Sequence, residues 1–461
     1  MKQRTIGLEY EFCAIYLENG RAINRDTIKS IWRDWSKQPH VELYFDKGTQ
    51  QPVGINYTME DGRSFVINTD GGVCLVEFSS LPFATLLECK QNLEKLVHEF
   101  LQVAAPYGVG LLSHAVQPKT PWAYPDLKTE KTWYRSFGIM PYFQMWHSQF
   151  HTIAAHQVCI GISYDEIVDN INTMCALGGV TIALFANSSV FEHEIGEYHE
   201  EREYRWERMV KGYGDTVKRI QGIPEKPFTS FRDYLEYNWS ILLPAGFRGK
   251  DLFNFKNPKT IVEYLRGGEQ SAWNLTTSEP LSVVPDITDV NMFNMYLWIQ
   301  ARPKLYFKDS VTLKQVLEAY DTNDIDTLAK DNIANLYVEN RNIAAQPWED
   351  IMTAPAYCLG LLENIQKAKE LVATKEWSYW VELRQKTTKS SMEVPEVIPF
   401  VEQVLEIAKE GLQKRGLGEE EYLEPLFKRL EKRESPAMKA IKDYNESGLE
   451  SFIKSRTISL Q

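Results

Sequence analysis

Several things are missing from this chain. There is no CxxC pair and no HExxH, so the ligand spacings of common zinc sites are absent. There is no GxxxxGK[ST], so no P-loop is available to cradle a triphosphate. The six cysteines (Cys13, Cys74, Cys89, Cys159, Cys175 and Cys358) follow no regular spacing and read as reduced thiols in a cytosolic protein. Positive charge is outweighed, 51 Lys and Arg against 63 Asp and Glu. The net charge of −12 lacks the basic footprint that duplex nucleic acid requires. Long apolar runs are also missing. The longest, "CALGGVTIALFA", has about a dozen residues, where a membrane span needs about 20. The opening "MKQRTIGLEYEF" has no apolar stretch followed by a small-residue cleavage site, so no signal peptide is expected. No internal repeat and no low-complexity tract interrupts the 461 residues.

What is present is an ordinary globular composition, 43% hydrophobic and 25% charged, in a chain long enough for a large core. Apolar spacing and turn residues predict strands over Thr5–Ile15, Val41–Phe45, Val73–Ser79, His156–Ser163 and Tyr337–Asn342. They predict helices over Thr27–Ser36, Ala84–Ala104, Ile167–Ala176, Tyr357–Ala373 and Val394–Arg415. From Trp377 the chain turns charged and helical. The expected organisation is an α+β catalytic domain over residues 1–376 and a helical segment over 377–461 packed on it.

The strands carry an unusual polar load. In "GLEYEFC", period two puts Gly7, Glu9, Glu11 and Cys13 on one face and Leu8, Tyr10 and Phe12 on the other. "DGGVCLVEFSS" sets Glu77 inside an apolar strand, with Asp70 just before the glycines. "AHQVCIG" aligns Gln157 with Cys159, and "YVENRN" aligns Glu339 with Arg341. A single Glu-x-Glu in a strand is most often a solvated face, and Glu339-x-Arg341 alone reads as a surface ion pair. Their coincidence on several strands with apolar backs predicts an antiparallel sheet, one face on the core and the other lining a cleft. An unpaired buried carboxylate costs several kcal/mol, so something must compensate these groups. Oxygen ligands suit hard cations, Mg²⁺ or Mn²⁺. Glu9, Glu11, Asp70, Glu77 and Glu339 supply five negative charges, which suits two or three such ions bridging to a polyphosphate.

These motifs resemble a family, the glutamate–cysteine ligases of plant and proteobacterial type, built on the glutamine-synthetase fold. "GLEYEF" is similar to its opening Glu-x-Glu strand, and "DGGVCLVEFSSLP" to its Gly-Gly strand with a metal-binding glutamate. "HTIAAHQVCIGIS" resembles a strand with a substrate-facing Gln. "ALFANSSVFE" resembles the family's Ala-Asn-Ser signature, followed at the family's distance by Arg202 and Trp206. "SFRDYL", "QARPK", "VENRNIAAQPWEDIMTAPAYCLGLLEN" and "AKEGLQKRGLGEEEYLEPLFKRLEKRESPAMKAI" follow in order, so the resemblance runs end to end. There are departures. Cys159 stands where the family usually has Asn or His, Asp70 near a family Glu, and the segment from Asn254 to Asp289 matches little.

The resemblance implies a glutamine-synthetase-like domain whose curved antiparallel sheet lines a metal-containing cleft, with helices on the outer face. It implies an ATP- and Mg²⁺-dependent ligase, with two or three ions held by Glu9, Glu11, Asp70, Glu77 and Glu339. The γ-carboxylate of glutamate would attack the γ-phosphoryl of ATP, and an amine, most expected to be that of L-cysteine, would displace phosphate to give γ-glutamylcysteine. Arg302 and Arg341, with Glu339, would serve the phosphoryl transfer. Arg202 and Trp206 would hold glutamate, with Gln157 and Cys159 lining the substrate site. For Arg202 and Arg205 the competing reading is i,i+4 pairing within a Glu-rich helix. The rivals are the same chemistry on another amino acid or amine, a guanidino-kinase-like phosphotransferase, and a silent metabolite-binding protein. The expected protein is a cytoplasmic monomer or homodimer with small-molecule substrates and neither a nucleic-acid nor a membrane partner.

Overall fold

The computed structural model describes residues 3–137, 147–210, 219–243, 245–249 and 251–460. Its centre is a ten-stranded sheet. The strands are β1 (Ile6–Tyr16), β2 (Val41–Phe45), β3 (Pro52–Thr58), β4 (Ser64–Thr69), β5 (Leu75–Ser79), β6 (Val109–Leu112), β7 (His156–Gly161), β8 (Ala301–Phe307), β9 (Ile333–Asn340) and β10 (Thr457–Ile458). The main path runs β8-β9-β7-β1-β5-β4-β3-β2, and β6 pairs with the second half of β1 and with β10. Every pairing in this sheet is antiparallel.

The core lies on one face of this sheet. Leu8, Tyr10 and Phe12 are buried there as period two requires. Tyr10 stacks on His156 at 4.0 Å between ring centroids, and Phe12 meets Phe78 edge-on at 6.0 Å. Helices cover this face. α1 (Arg25–Trp35) starts at Asn24, whose side chain accepts from the Thr27 N–H. α2 (Leu86–Ala104) starts with a reciprocal Thr85–Glu88 capping box and buries Leu93, Leu96 and Phe100. α3 (Ile167–Ala176) and α4 (Gly178–Phe185) follow. All eight residues of α4 are buried, so the longest apolar run is a core helix. No single helix among the described residues is long and apolar enough to cross a membrane. α5 (Glu201–Val210) borders the cleft, and α6 (Thr353–Glu363), α7 (Trp377–Ser390), α8 (Ile398–Arg415) and α9 (Pro436–Ser455) complete the helical layer.

Three local expectations need correction. The strand expected from Val73 begins at Leu75, because residues 71–74 form the turn that carries Asp70 past the sheet. The helix expected over Tyr357–Ala373 breaks at Asn364, whose φ of −123° leaves the helical region. The C-terminal segment is not purely helical: β10 returns to the central sheet on β6. β8 escaped sequence reading because Pro303 sits inside it. The structure puts β8 at the sheet edge, where a missing N–H leaves no neighbour unserved.

α6 and α8 cross with no side chain between them. A Cβ on Gly411 would lie 2.0 Å from the Gly360 carbonyl oxygen, and one on Gly360 would lie 2.3 Å from that of Ala408. Backbone atoms cannot yield cheaply. Gly411→Ala is therefore expected to lose about 1–3 kcal/mol despite alanine's better helix propensity. Urea unfolding checks this; a more stable variant refutes the close approach.

Candidate active site

The other face of the sheet is polar, and register explains why its groups meet. Opposed residues of an antiparallel pair point the same way. Arg302 opposes Glu339, Glu339 opposes Cys159, and Cys159 opposes Gly7. One step along, Gln157 opposes Glu9, while Glu11 opposes Glu77 and Glu77 opposes Asn68. Four strands expected to share a polar face are thus immediate neighbours, β9-β7-β1-β5.

The carboxylates divide into two groups, each with ligand atoms mutually within 4.8 Å. Glu11, Asp70 and Glu77 form one. Burial first, then Asp70, pushes the Glu77 carboxyl up to about 7. Burial, Asp70 and Glu77 raise Glu11 well above its ordinary value. Compensation is partial. The Ala155 N–H donates to Glu11 at 2.7 Å, Ser79 donates to Glu77 at 2.8 Å, and Tyr134 donates to Asp70. Lys131 Nζ stands 3.9 Å from Asp70. Three clustered carboxylates so poorly neutralised describe a place that wants cation charge.

The second group is Glu9, Cys159 and Glu339, and its balance differs. Burial raises Glu9, and Glu339 raises it further. Burial would also raise Glu339, yet Arg302, Lys304 and Arg341 together hold it well below the usual carboxylate range. Arg302 donates through Nε to Glu339 and through Nη1 to the carbonyls of Met295 and Leu297 at 2.6 and 2.9 Å. Arg341 Nη1 bridges Gln157 at 2.6 Å and Glu339 at 3.2 Å. Lys304 Nζ lies 3.8 Å from Glu339. The pair that sequence reads as a surface contact sits in the cleft, with Glu339 buried and Arg341 half-buried.

A cavity opens beside these groups, walled by Glu11, Asp70, Gln157, Arg202, Trp206 and Arg341 among others. Trp206 packs between Phe150 at 4.2 Å and Trp298 at 5.3 Å between ring centroids. Arg202 is buried, donating through Nη2 to the Arg341 carbonyl and through Nη1 to Glu203, both at 2.8 Å. It is thus not the i,i+4 partner of a solvated helix. Arg205 does pair at i,i+4, though as a buried contact, bonding Glu201 and Thr152, each at 3.2 Å, and it does not line the cavity. Cys159 is off the cavity wall as well; its thiol sits 3.9 Å from Glu9, within the second carboxylate group.

The Asn-Ser-Ser of "ALFANSSVFE" does a framework job. Asn187 donates to the carbonyls of Ser113 and Ala345 at 3.1 and 2.7 Å, and Ser188 accepts from the Arg202 N–H at 3.2 Å, the start of α5. Sequence reasoning missed Lys304, Lys131, Tyr134, Glu203 and Arg384. Lys304 was detectable, two residues after Arg302 on the same strand face. Lys131 and Tyr134 reach Asp70 from about sixty residues away and leave no local signal.

The chain belongs to glutamate-cysteine ligase family 2 (GCS2), whose model matches residues 5–237. It is a glutamate–cysteine-ligase-like, ATP-dependent ligase. It is 21% identical over 438 residues to the chloroplastic glutamate–cysteine ligase A of Oryza sativa subsp. indica, covering 91% of this chain and 76% of that one. It is 21% identical to the chloroplastic enzyme of Arabidopsis thaliana, covering 84% and 67%. Among solved structures, the fold is similar to a glutamate–cysteine ligase from Francisella tularensis in complex with AMP. The TM-score is 0.55 at 11% identity, covering 98% of this chain and 87% of that one. It is also similar to a bifunctional glutathione synthetase from Pasteurella multocida, with TM-score 0.53 at 11% identity, covering 98% and 50%.

Proposed function

We propose that this cleft joins the γ-carboxylate of glutamate to an amine acceptor, L-cysteine, at the expense of ATP and through a γ-glutamyl phosphate. The observation that carries the reading is the contrast between the two groups on one sheet face. Glu11, Asp70 and Glu77 are only partly offset by Lys131 and Arg202, whereas Glu339 is surrounded by Arg302, Lys304 and Arg341. A metal–phosphate complex is complementary to that pattern.

The residues fit divalent metal. Glu11, Asp70 and Glu77 would hold a hard ion through oxygen alone, whereas in the second group Glu339 is already neutralised by Arg302, Arg341 and Lys304, and the Cys159 thiol is a poor ligand for a hard ion. Bound there, Mg²⁺ or Mn²⁺ would neutralise phosphate charge and fix the reacting oxygens. The chain's own work is positioning and charge stabilisation, which dominate phosphoryl transfer. Arg341, held between Gln157 and Glu339, presents its remaining N–H groups to the cavity it lines. Arg302 anchors Glu339 and so fixes Arg341. Arg202 lines the same cavity, where its fork suits the α-carboxylate of glutamate, and Trp206 lines the cavity with it.

The test is product analysis with ATP, Mg²⁺, glutamate and a panel of the twenty amino acids and small amines. ADP and phosphate are expected, with one acceptor, cysteine, giving an amide. AMP and pyrophosphate as the main products would reject the acyl-phosphate route. Amide formation with another acceptor would keep the chemistry and change the substrate. A phosphorylated guanidino product would replace the ligase reading.

A further inference from the structure

Arg202 does not stand alone. Neighbours on a helix point about 100° apart and ordinarily do not pair. Here Arg202 and Glu203 do, at the first turn of α5, where Arg202 Nη1 donates to Glu203 Oε1 at 2.8 Å. The other Glu203 oxygen accepts from Gln300 Nε2 and from Arg384 Nη2, each at 2.8 Å. Arg384 comes from α7 and also pairs with Glu207, one turn along α5. All four side chains at the centre, Arg202, Glu203, Gln300 and Arg384, are buried. The Gln300 carbonyl accepts from the Arg341 N–H at 2.9 Å, and the Arg341 carbonyl accepts from Arg202 Nη2 at 2.8 Å.

We infer that Glu203 and Arg384 are positioning residues for the Arg202 fork, so that α7 in the C-terminal segment sets how the cleft recognises its carboxylate substrate. The argument is electrostatic and geometric. Arg202 and Arg384 are two guanidinium groups drawn to one buried carboxylate. Without the Glu203 charge they would repel each other with little solvent to screen them. The three donors on Glu203 come from α5, from the segment before β8 and from α7, so its orientation is set by three separate elements. Arg202 is fixed at both terminal nitrogens. That leaves one N–H on each, and Nε–H, to meet a substrate carboxylate in a fixed direction. Among the described residues Glu203 does not line the cavity but reaches it directly through Arg202 and indirectly through Gln300 and Arg341, so its role is to orient and not to bind.

The inference rests on Arg202 being the contact for the substrate carboxylate. The experiment measures KM for glutamate and for ATP, kcat and thermal stability in Glu203→Gln, Glu203→Asp and Arg384→Lys. Glu203→Gln keeps the shape and removes the charge. Its glutamate KM is expected to rise about tenfold or more, with ATP KM within about threefold and kcat little changed. Arg384→Lys keeps the charge and loses the fork, and is expected to give the same KM split more weakly. Glu203→Asp, which retains the charge, is expected to recover part of the loss. If Glu203→Gln fails to fold, Arg384→Lys alone carries the test. Equal rises in both KM values, or lower melting temperatures with unchanged KM, would reduce the network to a structural brace and overturn the inference. If Arg202→Ala also leaves glutamate KM unchanged, the substrate reading has failed and not the relay.

Discussion

Arg202→Ala is expected to weaken use of glutamate by about 30- to 3,000-fold. A buried, charge-assisted guanidinium–carboxylate contact is worth about 2–5 kcal/mol when its partner is left unpaired, and about 1.4 kcal/mol corresponds to a factor of ten. ATP KM should stay within about threefold, because on the proposed reading the triphosphate would be held at the carboxylate groups and Arg341. The neighbouring Arg205 is no control. It is buried and bonded to Glu201 and Thr152, so removing it costs stability for reasons unrelated to substrate. Lys314→Ala serves instead, since its side chain is 82% exposed on a helix outside the cleft. Michaelis constants for both substrates decide the matter. An unchanged glutamate KM in Arg202→Ala removes this residue from the site and puts glutamate itself in question.

The second large effect concerns Glu11, Asp70 and Glu77. Glu11→Gln and Glu77→Gln are each expected to cut turnover by at least about a hundredfold, as loss of metal-orienting groups commonly does. A second readout is independent of catalysis. In wild-type protein, Mg²⁺ or Mn²⁺ should raise the melting temperature, because an ion that binds only the folded state stabilises it. The two variants should lose that rise. In EDTA they should melt at or above the wild-type temperature, because each removes one of three mutually repelling, buried or half-buried carboxylates. Lower stability in EDTA, with an intact Mg²⁺ response, would show that these groups are braced by the protein and are not a metal site. Glu339→Gln is a poor probe for the same question. It strips the partner from Arg302, Lys304 and Arg341 and leaves buried positive charge uncompensated.

Much of this site was legible before any coordinates. Period two alone put Glu9 and Glu11 on one face of β1 and Leu8, Tyr10 and Phe12 on the other, and the structure keeps that division. The same rule aligned Gln157 with Cys159 and Glu339 with Arg341. Strand periodicity is local, so a single sequence can carry it. The helices α1, α2, α3 and α8 were legible for the same reason, since caps and apolar spacing lie within a few residues of one another.

What the sequence could not decide was adjacency. Which strand lies beside which depends on loop closures over hundreds of residues, and those leave no periodic trace. Only the order β8-β9-β7-β1-β5 divides the five carboxylates into a cation-poor group and a cation-rich one. Glu339 shows the difference. On its own strand it is one member of an apparent surface ion pair. In the fold, β8 delivers Arg302 and Lys304 to it from 37 and 35 residues away, and it becomes the most strongly compensated acid of the cleft. Arg202 shows it again. Its helix suggests pairing at i+4, but packing of α7 against α5 supplies Arg384, and the shared carboxylate of Glu203 turns Arg202 toward the cavity. The sequence by itself determined which side chains face one way from each element, because that is set by backbone geometry. Their charge balance, and with it what each can bind, came only with tertiary structure, because Coulomb interactions act between elements brought together in space.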